Sequence, residues 1–311
     1  MAQTWRKRGA VAITGAALLL CGGLPSAAAD PGDKDAADKD ADILLVHGYG
    51  SNCAAMDKAK NYFKGDDGNQ RDHDGAVKTL GYYANEKKSD CTDTFKDDAT
   101  TNTDIQYVAQ DLAWYVYDHY TKHGKPVNIV AHSMGGLVTR VALLGSGQHW
   151  DDPNFPDQRL NVPNAVTLST PHQGISQADK HNTDQWQQMN PDSSFMKRLQ
   201  RDDSELDGRW NCGGPGPCTT DWTLVGSSED STVSYDSGID KGNPAHKKFG
   251  YQAADDAGEV THGNIRELDS GRYDLRYWHS GGHPTHETED GWAPLKTAYE
   301  AATHRDDNLP R

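Results

Sequence analysis

The chain has 311 residues, with 31 Lys and Arg against 46 Asp and Glu, for a formal net charge of −15. That length suits one large domain or two small ones. The acidic balance argues against nucleic acid or an anionic membrane surface as a partner, because the long-range field repels polyanions.

The first segment reads as export machinery rather than fold. Arg6-Lys7-Arg8 is a cationic start, Val11 to Leu24 is an apolar, Gly-rich run, and Ser26-Ala27-Ala28-Ala29 supplies small residues. This order predicts a signal peptide over residues 1–29, cut after Ala29, and a secreted product. The run is short for a membrane span. Leu20 stands where lipoprotein processing at Cys21 needs a small residue. Cleavage leaves 282 residues and, with three cations and no anion lost, takes the net charge from −15 to −18.

Residues 30–42 form an Asp/Lys/Ala tract with almost no large apolar side chain, which predicts a solvated acidic linker. A calcium loop would need Gly at its sixth position and a closing Glu, and the tract has neither. The ordered domain is expected over 43–311. Ile43-Leu44-Leu45-Val46 predicts a short buried strand that runs into His47-Gly48-Tyr49-Gly50. A surface loop is expected over 66–75, then a second strand over Leu80-Gly81-Tyr82-Tyr83-Ala84. From Thr103 to His123, Ile105, Val108, Leu112, Val116 and Tyr120 recur at helical spacing, with Asp104 at the start and Gly124 as the C-cap. Val127-Asn128-Ile129-Val130 predicts a strand and Gly135 to Leu144 a helix. Further strands are expected over 162–168, 222–225 and, last, 275–278, before a final helix over 292–302. Alternating strands and helices predict an α/β fold with a mostly parallel central sheet flanked by helices. The interval 174–220 breaks the rhythm and is the expected place of a small cap insertion.

Without Cys21, four cysteines remain: Cys53, Cys91, Cys212 and Cys218. An even count in an exported chain predicts disulfides. Nearest-neighbour pairing gives Cys53–Cys91 and Cys212–Cys218. The first would close a loop worth up to roughly 4 kcal/mol in the chain-entropy model. No Cys-x-x-Cys or Cys-x-x-His spacing supports a zinc site.

The chemistry centres on Val130-Ala131-His132-Ser133-Met134-Gly135-Gly136. A β-branched strand runs into Ser133 and a helix leaves it at once, the arrangement of a nucleophile elbow. Small residues are needed two positions to either side of the serine, and Ala131 and Gly135 fill them, Ala131 in place of the usual Gly. Together with Val46-His47-Gly48-Tyr49-Gly50, the motif resembles the secreted bacterial lipases and esterases of the α/β-hydrolase superfamily. The short motifs match closely, and the order and spacing agree over most of the mature chain.

The resemblance implies an oxyanion hole built from the Tyr49 and Met134 amides, after the His-Gly pair and after the nucleophile. It also implies the chain order nucleophile, acid, base. Trp222-Thr223-Leu224-Val225-Gly226 ends in Ser227-Ser228-Glu229-Asp230, so Asp230 is the expected acid, with Glu229 and Asp221 as alternatives. His283, after Gly281-Gly282, is the expected base. His286 is its rival and His279 sits too close to the strand. A metal reading of these three histidines fails because Gly281, Gly282 and Pro284 keep them off one helical face. His132 is expected to pack or hydrogen-bond beside the nucleophile, and His172 to border the site. Trp186, Met189, Phe195, Met196 and Leu199 form either an acyl-binding wall or a helix packed on the sheet.

The resulting expectation is a monomeric serine hydrolase of small-molecule or lipid acyl esters, working through Ser133, Asp230 and His283 without a cofactor. The same machinery also serves amidases and acyl transferases, since fold does not set substrate. A hydrolase-like binding module is the non-catalytic alternative.

Overall fold

The computed structural model describes residues 40–66, 68, 71–148, 154–201, 220–242, 245, 247–253, 258–279 and 285–304. Among these residues, nine strands form one sheet in the order β3-β2-β1-β4-β5-β6-β7-β8-β9. They are β1 (Asp42–Val46), β2 (Val77–Tyr83), β3 (Asp93–Ala99), β4 (Val127–His132), β5 (Asn164–Leu168), β6 (Asp221–Ser227), β7 (Lys247–Tyr251), β8 (Tyr273–His279) and β9 (His286–Gly291). Neighbours from β3 through to β7 pair in parallel, and β8 and β9 are added antiparallel. This is the α/β-hydrolase fold, with a mostly parallel sheet flanked by helices.

The central strands are near-continuous apolar runs because both of their faces are covered. Side chains alternate between the faces. Leu44, Val46, Ile129 and Ala131 join one core, under α2 (Ile105–His119) and α3 (Met134–Gln148). Ile43, Leu45 and Val130 join the other, under α1 (Asp57–Lys64) and a C-terminal helix, Pro294–Thr303. Each fully buried Leu or Ile of these strands contributes roughly 1.5–3 kcal/mol.

The helix expected over 103–123 is α2 over Ile105–His119, followed by a 3-10 turn, Thr121–His123. Tyr120 separates them at φ −130°, outside the helical range, and Gly124 ends the segment in the left-handed region at φ 70°. In the cap interval, α4 (Asp184–Gln188) and α5 (Ser194–Arg201) are short helices. Their Trp186, Phe195, Met196 and Leu199 are buried in the core, and the Trp186 indole donates to the Gln177 carbonyl at 2.9 Å. The apolar set of this interval packs its helices on the core, and Trp186 also lies against Tyr49, with ring centroids 5.1 Å apart. A four-residue helix, α6 (Tyr235–Gly238), starts where the Ser234 side chain caps the Ser237 amide, and the C-terminal helix α7 opens with Pro294 in its first turn.

Three strands, β3, β7 and β9, escape a sequence-only reading. β3 carries Asp93, Lys96, Asp97 and Asp98, and β7 begins with Lys247 and Lys248. Both lysines are buried and satisfied: Lys247 Nζ pairs with Asp221, and Lys248 Nζ donates to the Asp240 carbonyl at 2.6 Å. The strand expected to be last, β8, is followed by β9.

The topology locates a crevice. From β1 the chain builds β2 and β3 on one side, then crosses to place β4 on the other. In such sheets the carboxyl ends of the strands flanking this reversal form the ligand crevice. Here those ends are His47-Gly48 and His132-Ser133, brought together by the register Val46↔Ala131.

Candidate active site

Ser133 joins β4 to α3 at φ 55°, a left-handed conformation that costs a non-glycine residue energy and aims its side chain off the sheet. The turn is closed by the Ser133 amide donating to the Leu168 carbonyl at 2.9 Å. Glycines admit the close approaches it needs. A Cβ on Gly48 would lie 2.7 Å from the Ser133 Cβ, and one on Gly135 would lie 2.4 Å from the His47 carbonyl oxygen. The small residue after the elbow thus clears the end of β1.

The imidazole facing Ser133 is His262. Its Nε2 is 2.9 Å from Ser133 Oγ, and its Nδ1 is 2.8 Å from Asp230 Oδ2. Asp230 Oδ1 accepts the Thr232 and Val233 amides at 2.8 and 2.9 Å. Burial pushes the Asp230 carboxyl up, but the bonds from His262, Val233 and Thr232 outweigh it and hold the group below the usual carboxylate range. Of the residues expected at the site, Ser133 and Asp230 lie on either side of His262. His283, the base expected there, lies outside the described residues, and the ring hydrogen-bonded to both partners is His262. His286 is exposed on β9, stacked on Tyr277 at 5.0 Å. Glu229 and Asp221 serve elsewhere, Glu229 Oε2 accepting the Val260 amide at 2.9 Å and Asp221 pairing with Lys247.

The place of His262 in the chain explains why the sequence expectation pointed elsewhere. His262 sits on the connection between β7 and β8, whereas the sequence reading sought it after a strand that is β8. β7, with its two lysines, does not read as a strand in sequence, so the connection that carries His262 does not read as a strand end. The available signal was Thr261-His262-Gly263, a histidine in a polar turn between two β-branched or aromatic runs.

The loop bearing His262 is held by several side chains. Asn264 Oδ1 accepts the Thr261 amide at 2.7 Å, and its Nδ2 donates to the Glu259 carbonyl at 2.8 Å. Arg266 Nε donates to the Ala55 carbonyl at 2.7 Å, tying this loop to the 3-10 turn Cys53–Met56. His132 is buried, and burial, reinforced by His262 and Arg266, holds its pKa well below the ordinary histidine value. Neutral, it donates Nε2–H to the His262 carbonyl at 2.7 Å. His172 is fully buried with its Nε2 2.9 Å from Thr167 Oγ1.

Tyr49 and Met134 lie beside Ser133: Tyr49 follows the Gly48 that packs on Ser133, and Met134 follows Ser133 and opens α3. Among the described residues neither amide is engaged in a turn, loop or side-chain hydrogen bond. The Met134 amide also stands at the positive end of a fifteen-residue helix.

Cys53 and Cys91 are bonded to each other, with Cα atoms 5.1 Å apart. Cys212 and Cys218 lie outside the described residues. His47, Cys53 and Glu86 bring three potential ligand atoms within 4.8 Å of one another. The sulfur is already in the disulfide, and the other two atoms bond each other at 2.9 Å, so the cluster works as a brace. No helix among the described residues is long and apolar enough to cross a membrane.

Among solved structures, the chain is similar to Bacillus licheniformis lipase BlEst2 in its propeptide form, at 17% identity and a TM-score of 0.47 over 74% of this chain and 48% of that one. Aspergillus fumigatus lipase B gives 16% identity and a TM-score of 0.47, over 73% of this chain and 49% of that one. A Listeria innocua protein gives 13% and 0.45, over 73% and 89%. The chain thus spans about half the length of the two lipase chains. No curated protein matches it. A family profile does match, over residues 37–202, which is 166 of the 311 residues and includes β1, the elbow and α3. The chain belongs to the family described as "Putative serine esterase (DUF676)".

Proposed function

We propose that this chain is a secreted serine hydrolase that cleaves carboxylic esters through an acyl-enzyme. The observation that carries this reading is the continuous hydrogen-bond chain Ser133 Oγ, His262, Asp230 at 2.9 and 2.8 Å. His262 Nε2 takes the hydroxyl proton as Oγ attacks the ester carbonyl. The carbonyl π electrons move onto oxygen, and the Tyr49 and Met134 amides receive the resulting oxyanion. Collapse expels the alkoxide, which takes the proton back from His262 and leaves as the alcohol. Water, deprotonated by the same imidazole, then attacks the acyl-enzyme and releases the carboxylic acid and free Ser133. Asp230 holds the Nδ1–H tautomer throughout and stabilises the imidazolium. Its depressed pKa keeps it ionised for that task.

The Cys53–Cys91 disulfide fits an oxidising compartment and supports export. Mature protein is tested with a fluorophosphonate probe and a series of nitrophenyl esters from acetate to palmitate, beside an emulsified triglyceride and an amide analogue. Labelling of Ser133, lost in Ser133→Ala, and ester turnover are expected. A folded protein that neither labels nor turns over any ester would overturn the reading.

A further inference from the structure

The peptide between Gly48 and Tyr49 has its carbonyl pinned from three directions. Gly48 O accepts the Tyr82 hydroxyl at 3.1 Å, His47 Nδ1–H at 3.0 Å and the Ser51 amide at 3.3 Å. A trans peptide is planar, so fixing the direction of its C=O fixes the opposite direction of its N–H. That N–H belongs to Tyr49. The carbonyl of the preceding peptide, His47 O, accepts the same Tyr82 hydroxyl at 2.9 Å.

Glu86 bonds the ring of one of these donors directly and anchors the backbone of another. Its Oε1 lies 2.9 Å from His47 Nε2 and accepts the Tyr82 and Tyr83 amides at 3.0 and 2.8 Å. Its Oε2 accepts the Cys53 amide at 3.2 Å. The His47 and Glu86 side chains are only 1% and 4% exposed, and the His47 ring stacks on Tyr82 at 4.3 Å and 8°. Gly81 leaves the room for this packing, since a Cβ there would come within 3.3 Å of Glu86 Oε2. Both ring nitrogens of His47 are engaged, Nδ1 with the Gly48 carbonyl and Nε2 with Glu86, which fixes the ring between them. Burial pushes the Glu86 carboxyl up, but the bond and charge of His47 and the backbone amides hold it below its ordinary value.

We propose that Glu86 is the positioning residue of the oxyanion turn: through His47 and the Tyr82 hydroxyl it holds the Gly48 carbonyl and thereby aims the Tyr49 N–H at the reacting oxygen. The inference rests on the reading of Tyr49 as an oxyanion donor. Glu86 touches neither the substrate nor Ser133. Its action is confined to the transition state, because the ground-state carbonyl depends far less on the direction of that N–H.

The test is a steady-state comparison of wild type, Glu86→Gln and Tyr82→Phe on a short nitrophenyl ester, with the disulfide intact. A boronic acid serves as the oxyanion-mimicking inhibitor. Loss or misdirection of one donor predicts a kcat lower by roughly 10- to 100-fold for E86Q, with KM within about twofold and the boronic acid weakened by a similar factor. Y82F, which removes one hydroxyl and keeps the stacked ring, is expected to show a smaller fall of the same kind. It decides the matter if E86Q does not fold. Wild-type kcat in both variants, or kcat and KM that change together, would overturn the inference while the hydrolase reading stands. A wild-type protein that turns over no ester would overturn both.

Discussion

The two sides of the site are fixed by different means. On one side, Gly48 and Ser133 extend from adjacent parallel strands whose ladder runs without interruption from Asp42↔Val127 to Val46↔Ala131. Backbone hydrogen bonds set that contact, and every residue of β4 is buried. On the other side, His262 stands on a connection between strands and owes its position to removable side chains: Glu229, Asn264, His132 and Arg266. The strand contact on the ladder side is set by the backbone, with His47, Tyr82 and Glu86 bracing the turn beyond it, whereas the loop side spreads its precision over several side-chain bonds.

The largest expected effect asks whether the loop side has been drawn correctly. His262→Ala lowers kcat/KM by roughly 10⁴- to 10⁶-fold, while His283→Ala stays within about threefold of wild type. Near-normal ester turnover by H262A would move the base elsewhere and break the comparison. The next effect contrasts the sides directly. Gly48→Ala puts a Cβ 2.7 Å from the Ser133 Cβ and costs roughly 100-fold in kcat, since misplacement of the reacting group by about 1 Å is worth that much. Glu229→Ala removes one bond to the loop and costs about 3- to 10-fold. Equal losses in the two variants would erase the distinction.

Stability sharpens it further. The Cys53–Cys91 bridge spans 38 residues and lies on the ladder side, so the double Cys→Ser variant loses about 4 kcal/mol of unfolding free energy. Chemical denaturation measures this, and a loss under about 1 kcal/mol would mean the ladder holds the segment unaided. The smallest effect is acid sensitivity. Asp230 and Glu86 both have folded pKa values below their ordinary ones. Each contributes stability that is fully present above the unfolded carboxylate pKa and is lost as pH falls through the depressed folded value. Tm should fall over that acidic window, less steeply in Asp230→Asn, and an unchanged slope would remove Asp230 from the account.

What could be read from the chain follows the same division. β1, β4 and β6 are apolar runs that both faces of a covered sheet demand, and the elbow and the His-Gly turn follow them directly in sequence. Asp230 was legible because it lies a few residues beyond such a strand. β7 was not, because Lys247 and Lys248 look like surface residues until Asp221 and the Asp240 carbonyl are placed beside them. His262 was lost with it. Local patterning exposes residues whose neighbours are near in sequence. An imidazole held by contacts 129 and 32 residues away leaves no such trace.

The sheet's two borders carry a consequence for the molecule in solution. A strand with an unpaired side is a template onto which another chain can add. Here the outermost strands, β3 and β9, carry Asp93, Asp97 and Asp98 at one border and Glu287, Glu289 and Asp290 at the other. Asp97 and Asp98 pair with Lys88 and Lys96, and Glu287 and Asp290 with Arg276 and Arg272, so extending the sheet from one molecule to the next would have to strip water from two densely charged rows. Charged border strands of this kind disfavour edge-to-edge addition of a second chain.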